Sequence, residues 1–252
     1  MSADIRMHFG PQGSLLASAR ACEAEVFLEW FGNTREQLDE EYRDYEDRSV
    51  FLVLADADDE VHAAVRLIAP GGRAGLKTVV DMGRRPWAID GARAAAAVGV
   101  DLGSTWEVAT LAVRTGSDAA GLRMSLALYH GLVSIARANR MSSLVAILDE
   151  RVRRLLNSIG ILMRPFPGTA AAPYLGSSAS TPVYAHCAPV LANQRRHFPD
   201  AHRLVTLGVG LDGISVPPLP AFRLVPTRVP LTLPLSLEHA PLLGSHLVGS
   251  AR

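Results

Sequence analysis

The sequence predicts an α/β protein, a mixed sheet flanked by helices with a proline-rich C-terminal arm. Three observations point there. The apolar, β-branched runs "SVFLVLAD" and "VHAAVRLIAP", parted by the acidic turn "DADDE", read as an antiparallel hairpin. "WEVATLAV" and "SLVAIL" are strand-like and are joined by the long amphipathic "AAGLRMSLALYHGLVSIARAN", a parallel crossover whose hand is fixed. Seven of the sixteen prolines then crowd between Pro217 and Pro241, a density that excludes helix and interior strand.

In chain order, residues 14–31 place Leu15, Leu16, Ala19, Cys22, Val26, Phe27 and Trp30 on one helical stripe, with Ser14 as candidate N-cap. "TREQLDEEY" follows, with Thr34 and Gln37 in capping-box spacing. After the hairpin, residues 71–101 have no clear pattern beyond "GLKTVVDM", an apolar Trp87 and the helix-prone "ARAAAAV". Beyond the crossover, "DERVRRLLNSIG" is a helix opened by Asp149 and closed by Gly160. "ILMRPF" and "TPVYAHCAPV" read as two further strands. The expected division is a domain over residues 1–198 and an extension over 199–252. Leu219, Phe222, Leu224, Val229, Leu231, Leu233 and Leu235 in the extension are too apolar for an ordinary disordered tail. An arm docked on its own domain or across a homodimer, and a passive tail, both remain open.

Composition excludes several function classes. The formal net charge is zero and the pI about 7.1, which gives no electrostatic case for nucleic acid or an anionic membrane. Cys22 and Cys187 make neither a disulfide framework nor a metal cluster, and both fit small buried hydrophobes. His62, His186 and His197 lack ligand spacing, so no metal is expected. The N-terminus has no basic-then-apolar signal and no apolar run is long enough to span a bilayer, so a cytoplasmic protein is expected. "GxSxG" and "GxxxxGK[ST]" are absent, against a serine hydrolase of the α/β type or a P-loop enzyme.

The stretch from Thr105 to Arg140 has a chemical use. A strand can bond an extended acyl-pantetheine arm through its amides, and a helix N-terminus offers N–H groups to a phosphate. Gly116, Ala119, Ala120 and Gly121 let a ligand approach the backbone, and Arg114 and Arg123 can bond phosphate oxygens.

This arrangement resembles the GNAT acyltransferases. More narrowly it is similar to their autoinducer-synthase branch, the acyl-homoserine-lactone synthases and long-chain N-acyl amino acid synthases. The matching pieces are Val26–Phe27, "DYED" at Asp44–Asp47, "VRLIAP" at Val65–Pro70, "WEVATLAV" at Trp106–Val113 and "RVRRLLNSIG" before Gly160. They come in the family's order over about residues 15–190.

The resemblance implies roles. The family's paired aspartates fall on Asp44 and Asp47, its hairpin arginine on Arg66, and its strand-four glutamate on Glu107, the favoured proton acceptor. Phe27, Trp30 and Thr110 lie at or near its other substrate-binding positions. Backbone N–H groups of Leu111, Ala112 and Val113 would polarise a thioester carbonyl. The chemistry is coherent, since an ammonium must be held and stripped of a proton before acyl transfer, and a buried glutamate with a raised pKa suits that base. The donor implied is acyl-CoA or an acyl carrier protein, and the acceptor an amino acid-like amine.

The sequence also departs from the family. Thr110 stands where the family has an arginine, Glu23 where it has another (Arg20 lies one turn earlier), and Leu156 where the wider GNAT pattern has a tyrosine. Losing a fixed positive charge at Thr110 argues against S-adenosylmethionine as acceptor and hence against lactone formation. Three functions therefore stand side by side: N-acyltransferase, a non-catalytic acyl-thioester-binding module of the same fold, and homoserine-lactone synthase. Local readings compete too. Asp44 and Asp47 sit in a charge run that suits a solvated face, Glu107 could face water at an edge, and Arg66 could simply pair with Asp44 or Asp47. Tyr129 fits the core.

Overall fold

The computed structural model describes residues 5–114 and 119–224. The chain opens on a strand the sequence reading did not expect, β1 (Ile5–Phe9). Helix α1 (Gly13–Phe31) follows, and Ser14 lies inside it rather than capping it, since Gln12 holds the N-cap without a side-chain bond. Helix α2 (Arg35–Tyr42) begins with the expected capping box between Thr34 and Gln37. The hairpin is β2 (Ser49–Ala55) and β3 (Val61–Ile68), antiparallel. The unpatterned stretch holds two short helices, α3 (Lys77–Met82) and α4 (Gly91–Ala97).

β4 (Thr105–Val113), α5 (Ala119–Ala138) and β5 (Ser143–Asp149) form the crossover, with β4 and β5 parallel neighbours. Asp149 caps α6 (Glu150–Ser158) by accepting from the Arg151 amide. The next segment gives only a two-residue strand, β6 (Arg164–Pro165), and a short β7 (Ala172–Tyr174) hairpinned to β8 (Ser177–His186). Strand β8 stops at His186, so Cys187 opens helix α7 (Cys187–His197) instead of extending a strand. The Pro-bearing "CAPV" tolerates this because proline lacks only an amide that the first helical turn leaves unpaired.

The packed body runs past Phe198, the boundary expected from composition. A helical turn at Pro199–Ala201 and a wider one at His202–Thr206 lead to β9 (Ile214–Ser215), which pairs in parallel with β1. Phe222 is fully buried, and Asn139 clamps this end by donating to the Phe222 carbonyl and accepting from the Leu224 amide. The expectation for Val229, Leu231, Leu233 and Leu235 lies outside the described residues. Among the described residues the sheet has nine strands in the order β6-β8-β5-β4-β3-β2-β1-β9, with β7 on β8.

The centre of the sheet is covered on both faces, which is why β2 reads as a continuous apolar run rather than an alternating one. Val50, Leu52 and Leu54 pack toward α5, while Phe51, Val53 and Ala55 pack toward α1. Two irregularities then open the sheet. Arg66 pairs with Thr110 but Leu67 with Val108, so Ala109 is an extra residue bulged out of β4. β4 and β5 pair from Thr105–Ser143 only as far as Glu107–Val145. Beyond that point the strands part.

Candidate active site

Two contiguous cavities fill the gap, sharing Val108, Leu111, Leu148 and Val152 as walls. One, of about 120 Å³, is almost wholly apolar and runs beneath α5 past Leu132, Ala136, Met163 and Val205. The other, of about 130 Å³, is the more polar of the two although apolar surface still predominates, and it carries Glu107, Thr110, Asp149, Tyr174 and Ser177 beside the rings of Phe27 and Phe31.

Glu107 is buried where β4 leaves β5, on the polar cavity wall. Its two oxygens accept the Thr78 amide at 3.0 and 2.9 Å, and one accepts the Thr78 hydroxyl at 2.9 Å. Burial pushes its pKa up to about 7, against the pull of the Thr78 bonds and the Lys77 charge. Among the described residues the carboxylate thus has neutral donors and no direct ion pair, and its basicity sits near neutrality.

Beside it lies a network that sequence reasoning missed. Lys77, buried at the start of α3, donates to Glu41 at 2.9 Å, Asp81 at 2.5 Å and the Tyr174 hydroxyl at 3.0 Å. Tyr174 donates to Asp81 at 2.6 Å, and burial with the Asp81 charge drives its pKa far above the ordinary phenol value. A Lys and an Asp four apart in "KTVVD" were the available signal. Tyr174 is held there by the β7–β8 turn. Asn33 donates to the Leu175 carbonyl, and Gly176, at φ +81°, abuts the Phe31 carbonyl so closely that a Cβ would lie 2.0 Å from its oxygen.

A second buried cluster sits at Arg66. Its Nε and Nη2 donate to the Glu23 carboxylate at 3.0 and 2.6 Å, and Nη1 to Glu46 at 2.7 Å. Tyr42 and Phe51 lie against the guanidinium at 4.5 and 4.8 Å. The Thr110 hydroxyl donates to the same Glu23 carboxylate at 2.5 Å. Glu23 and Thr110, two of the three positions at which the sequence departs from the family it resembles, therefore contact each other. Arg66 does form an ion pair, but with Glu23 and Glu46. Asp44 and Asp47 are exposed and line neither cavity, because the 3-10 turn at Arg43–Tyr45 points Tyr45 inward and those acids outward.

The other expected residues divide. Phe27 and Leu111 line the polar cavity, whereas Trp30 is exposed on the end of α1 and does not. Ala112 and Val113 follow Leu111 on β4, Ala112 packing toward α1 and Val113 toward α5. Arg114 is not free for phosphate, since it pairs with Glu25 at 2.8 Å and Glu60 at 3.1 Å. Gly121 is buried and Arg123 exposed on the first turns of α5, and Gly116 lies outside the described residues. Tyr129 and Leu156 line the apolar cavity, and the thiols of Cys22 and Cys187 are pushed up to about 12 and 11 by burial, as suits packing rather than nucleophilic attack. Elsewhere Asp56, Glu60 and His62 come within 4.8 Å of one another. Asp56 already accepts the Asp58 and Glu60 amides and pairs with His62, which latches the hairpin turn.

The fold has solved counterparts. FeeM, an N-acyl amino acid synthase from uncultured soil microbes, superposes with a TM-score of 0.58 at 12% identity, over 77% of this chain and 95% of that one. BjaI, a CoA-dependent acyl-homoserine lactone synthase solved with SAM and isopentyl-CoA, gives 0.53 at 16% identity over 87% and 97%. The acyl-homoserine lactone synthase LasI gives 0.50 at 13% identity over 73% and 91%. The chain has the GNAT-like fold of the autoinducer synthases. At these identities the likeness is one of fold, and no family model and no curated protein matches the sequence. Among the described residues no helix is long and apolar enough to cross a membrane.

Proposed function

We propose that the chain is an N-acyltransferase that moves an acyl group from a thioester, on CoA or an acyl carrier protein, to an amine. The observation that carries this reading is the position of Glu107, a buried carboxylate on the wall of the more polar cavity, next in sequence to Val108, which lines both cavities, with burial raising its pKa to about 7. The acyl chain would occupy the apolar cavity and the acceptor the polar one. Glu107 takes a proton from the ammonium, the freed nitrogen attacks the thioester carbon, a C–N bond forms and the C–S bond breaks. The nitrogen gives up a second proton as the amide forms, the thiolate leaves and takes up one proton, and the other passes to solvent, so one proton is released for each ammonium acylated. Backbone N–H groups of β4 past the Ala109 bulge would polarise the carbonyl, and Tyr174 stands on the same cavity wall as Glu107.

Mixing the protein with acyl-CoAs and a panel of amines and following free thiol tests the reading, with amine-dependent thiol release expected. A second reading, a binding module without chemistry, has one observation in its favour. Both Glu107 oxygens are engaged by Thr78, as a purely structural helix-start acceptor would be. Binding of acyl-CoA with no thiol release by any amine would select it. Lactone synthesis is disfavoured, because Thr110 supplies no charge and Arg66 is consumed by Glu23 and Glu46.

A further inference from the structure

Resting on that reading, a census of charge around the polar cavity narrows the acceptor. Its wall carries two carboxylates, Glu107 and Asp149, the hydroxyls of Thr110, Tyr174 and Ser177, and aromatic surface from Phe27 and Phe31, whose rings stand 5.3 Å apart. Among the described residues no lysine, arginine or histidine lines it. The cations among the described residues that touch groups around the wall already have carboxylate partners. Arg66 spends Nε, Nη1 and Nη2 on Glu23 and Glu46, and Lys77 spends its three donors on Glu41, Asp81 and Tyr174. Arg84 pairs with Asp81, and Arg151, at the start of α6, is turned onto Asp149.

An α-amino acid brings an ammonium and, one carbon away, a carboxylate. The ammonium finds partners on this wall. The carboxylate finds the Glu107 charge, an Asp149 already paired with Arg151, and no cation left to receive it, and partial desolvation in the cavity adds to the cost. Specificity by such repulsion needs no clash of shape.

We propose that the acceptor is a primary amine on an aromatic or apolar frame that bears no carboxylate beside the amine, of the arylalkylamine class. Acylation then balances as thioester plus amine giving amide plus free thiol, with no other reactant. The reaction class that must supply such a substrate is decarboxylation of an aromatic amino acid.

The test uses matched pairs that differ only in the carboxylate, phenethylamine against phenylalanine and tyramine against tyrosine. Each is assayed for kcat/KM with one acyl-CoA. The amine of each pair is expected to exceed its amino acid by roughly 10- to 100-fold, the scale of one misplaced charged group. Equal values, or a preference for the amino acid, overturn the proposal while leaving the acyltransferase reading intact. If no acceptor releases thiol, the acyltransferase reading falls. Calorimetric titration of the same pairs into protein loaded with acyl-CoA then judges the pocket alone. Tighter binding of the amines upholds the charge argument, and equal or reversed affinities end it.

Discussion

Two buried polar clusters stand on β4 within four residues of each other, and they are built on opposite principles. At Thr110, Arg66 is closed off by Glu23 and Glu46 and flanked by two aromatic rings, so its charge is neutralised inside the fold. At Glu107, a carboxylate is buried with only neutral donors and faces a cavity. The first arrangement holds one protonation state firmly. Burial opposes the Arg66 charge, yet the two glutamates raise its pKa above the ordinary guanidinium value. The second leaves its group poised between states. A buried charge matched by a direct counter-ion is architecture, and one matched by amides and hydroxyls can exchange a proton.

Breaking the sealed cluster should give the largest change in stability. Arg66→Met leaves Glu23 buried without its cation, a loss of about 3–5 kcal/mol in denaturant unfolding. Replacing both partners, Arg66→Met with Glu23→Leu, should recover most of that loss. Failure of the double change to recover stability would mean that the cluster is not a self-contained ion pair.

The open cluster should respond in rate instead. Glu107→Gln keeps an acceptor for Thr78 and is expected to lower acyl transfer by roughly two to four orders of magnitude with acyl-CoA binding little changed. An unaltered rate would remove Glu107 from the mechanism.

The two clusters should also separate by pH. Glu107 has its pKa raised from 4.5 to about 7 in the folded chain, so the native state binds more protons than the unfolded state between those values. Stability contributed by this site is therefore fully present below about pH 4.5 and is lost as pH rises to about 7, a fall on the order of 3 kcal/mol. Transfer rate should climb over the upper part of the same range as the base ionises. Glu107→Gln should flatten the stability slope, and a slope that survives the substitution would belong to another group.

Legibility in the sequence follows the same division. The strand–helix–strand crossover, the hairpin and the capping box were readable because periodicity and capping are local. Glu107 was readable because a carboxylate in an apolar strand costs free energy without a reason. The partners were not. Thr78, Lys77 and Asp81 lie in a stretch whose two short helices show too few turns for a pattern, and Tyr174 reaches the site only through a hairpin turn pinned to α1. Glu23 stood out only as a departure from the resembled family, and only the fold shows that it is buried against Arg66. β9 was hidden by its two-residue length and its proline-rich surroundings.

That turn gives a smaller prediction. Gly176→Ala places a methyl against the Phe31 carbonyl in a left-handed conformation, and a loss of about 1–3 kcal/mol is expected. Because Tyr174 is two residues away, activity should fall further than stability alone accounts for. A variant equally active per folded molecule would show that Tyr174 needs no fixed position.

The smallest effect is expected where the family resemblance promised a large one. Asp44 and Asp47 take the positions of the paired aspartates, yet both are exposed and Arg66 pairs with Glu46 between them. An exposed carboxylate outside both cavities contributes little to an acceptor held beside Glu107, since solvent screens it and surface substitutions usually stay within about 0.5 kcal/mol. Asp44→Asn and Asp47→Asn should therefore leave both the acceptor KM and the unfolding midpoint nearly unchanged, whereas Glu46→Gln, which removes one of the two negative charges paired with Arg66, should lower the midpoint. A rise in acceptor KM for either aspartate variant, with kcat held, would return these acids to the substrate's path and place part of the acceptor site outside the cavity beside Glu107.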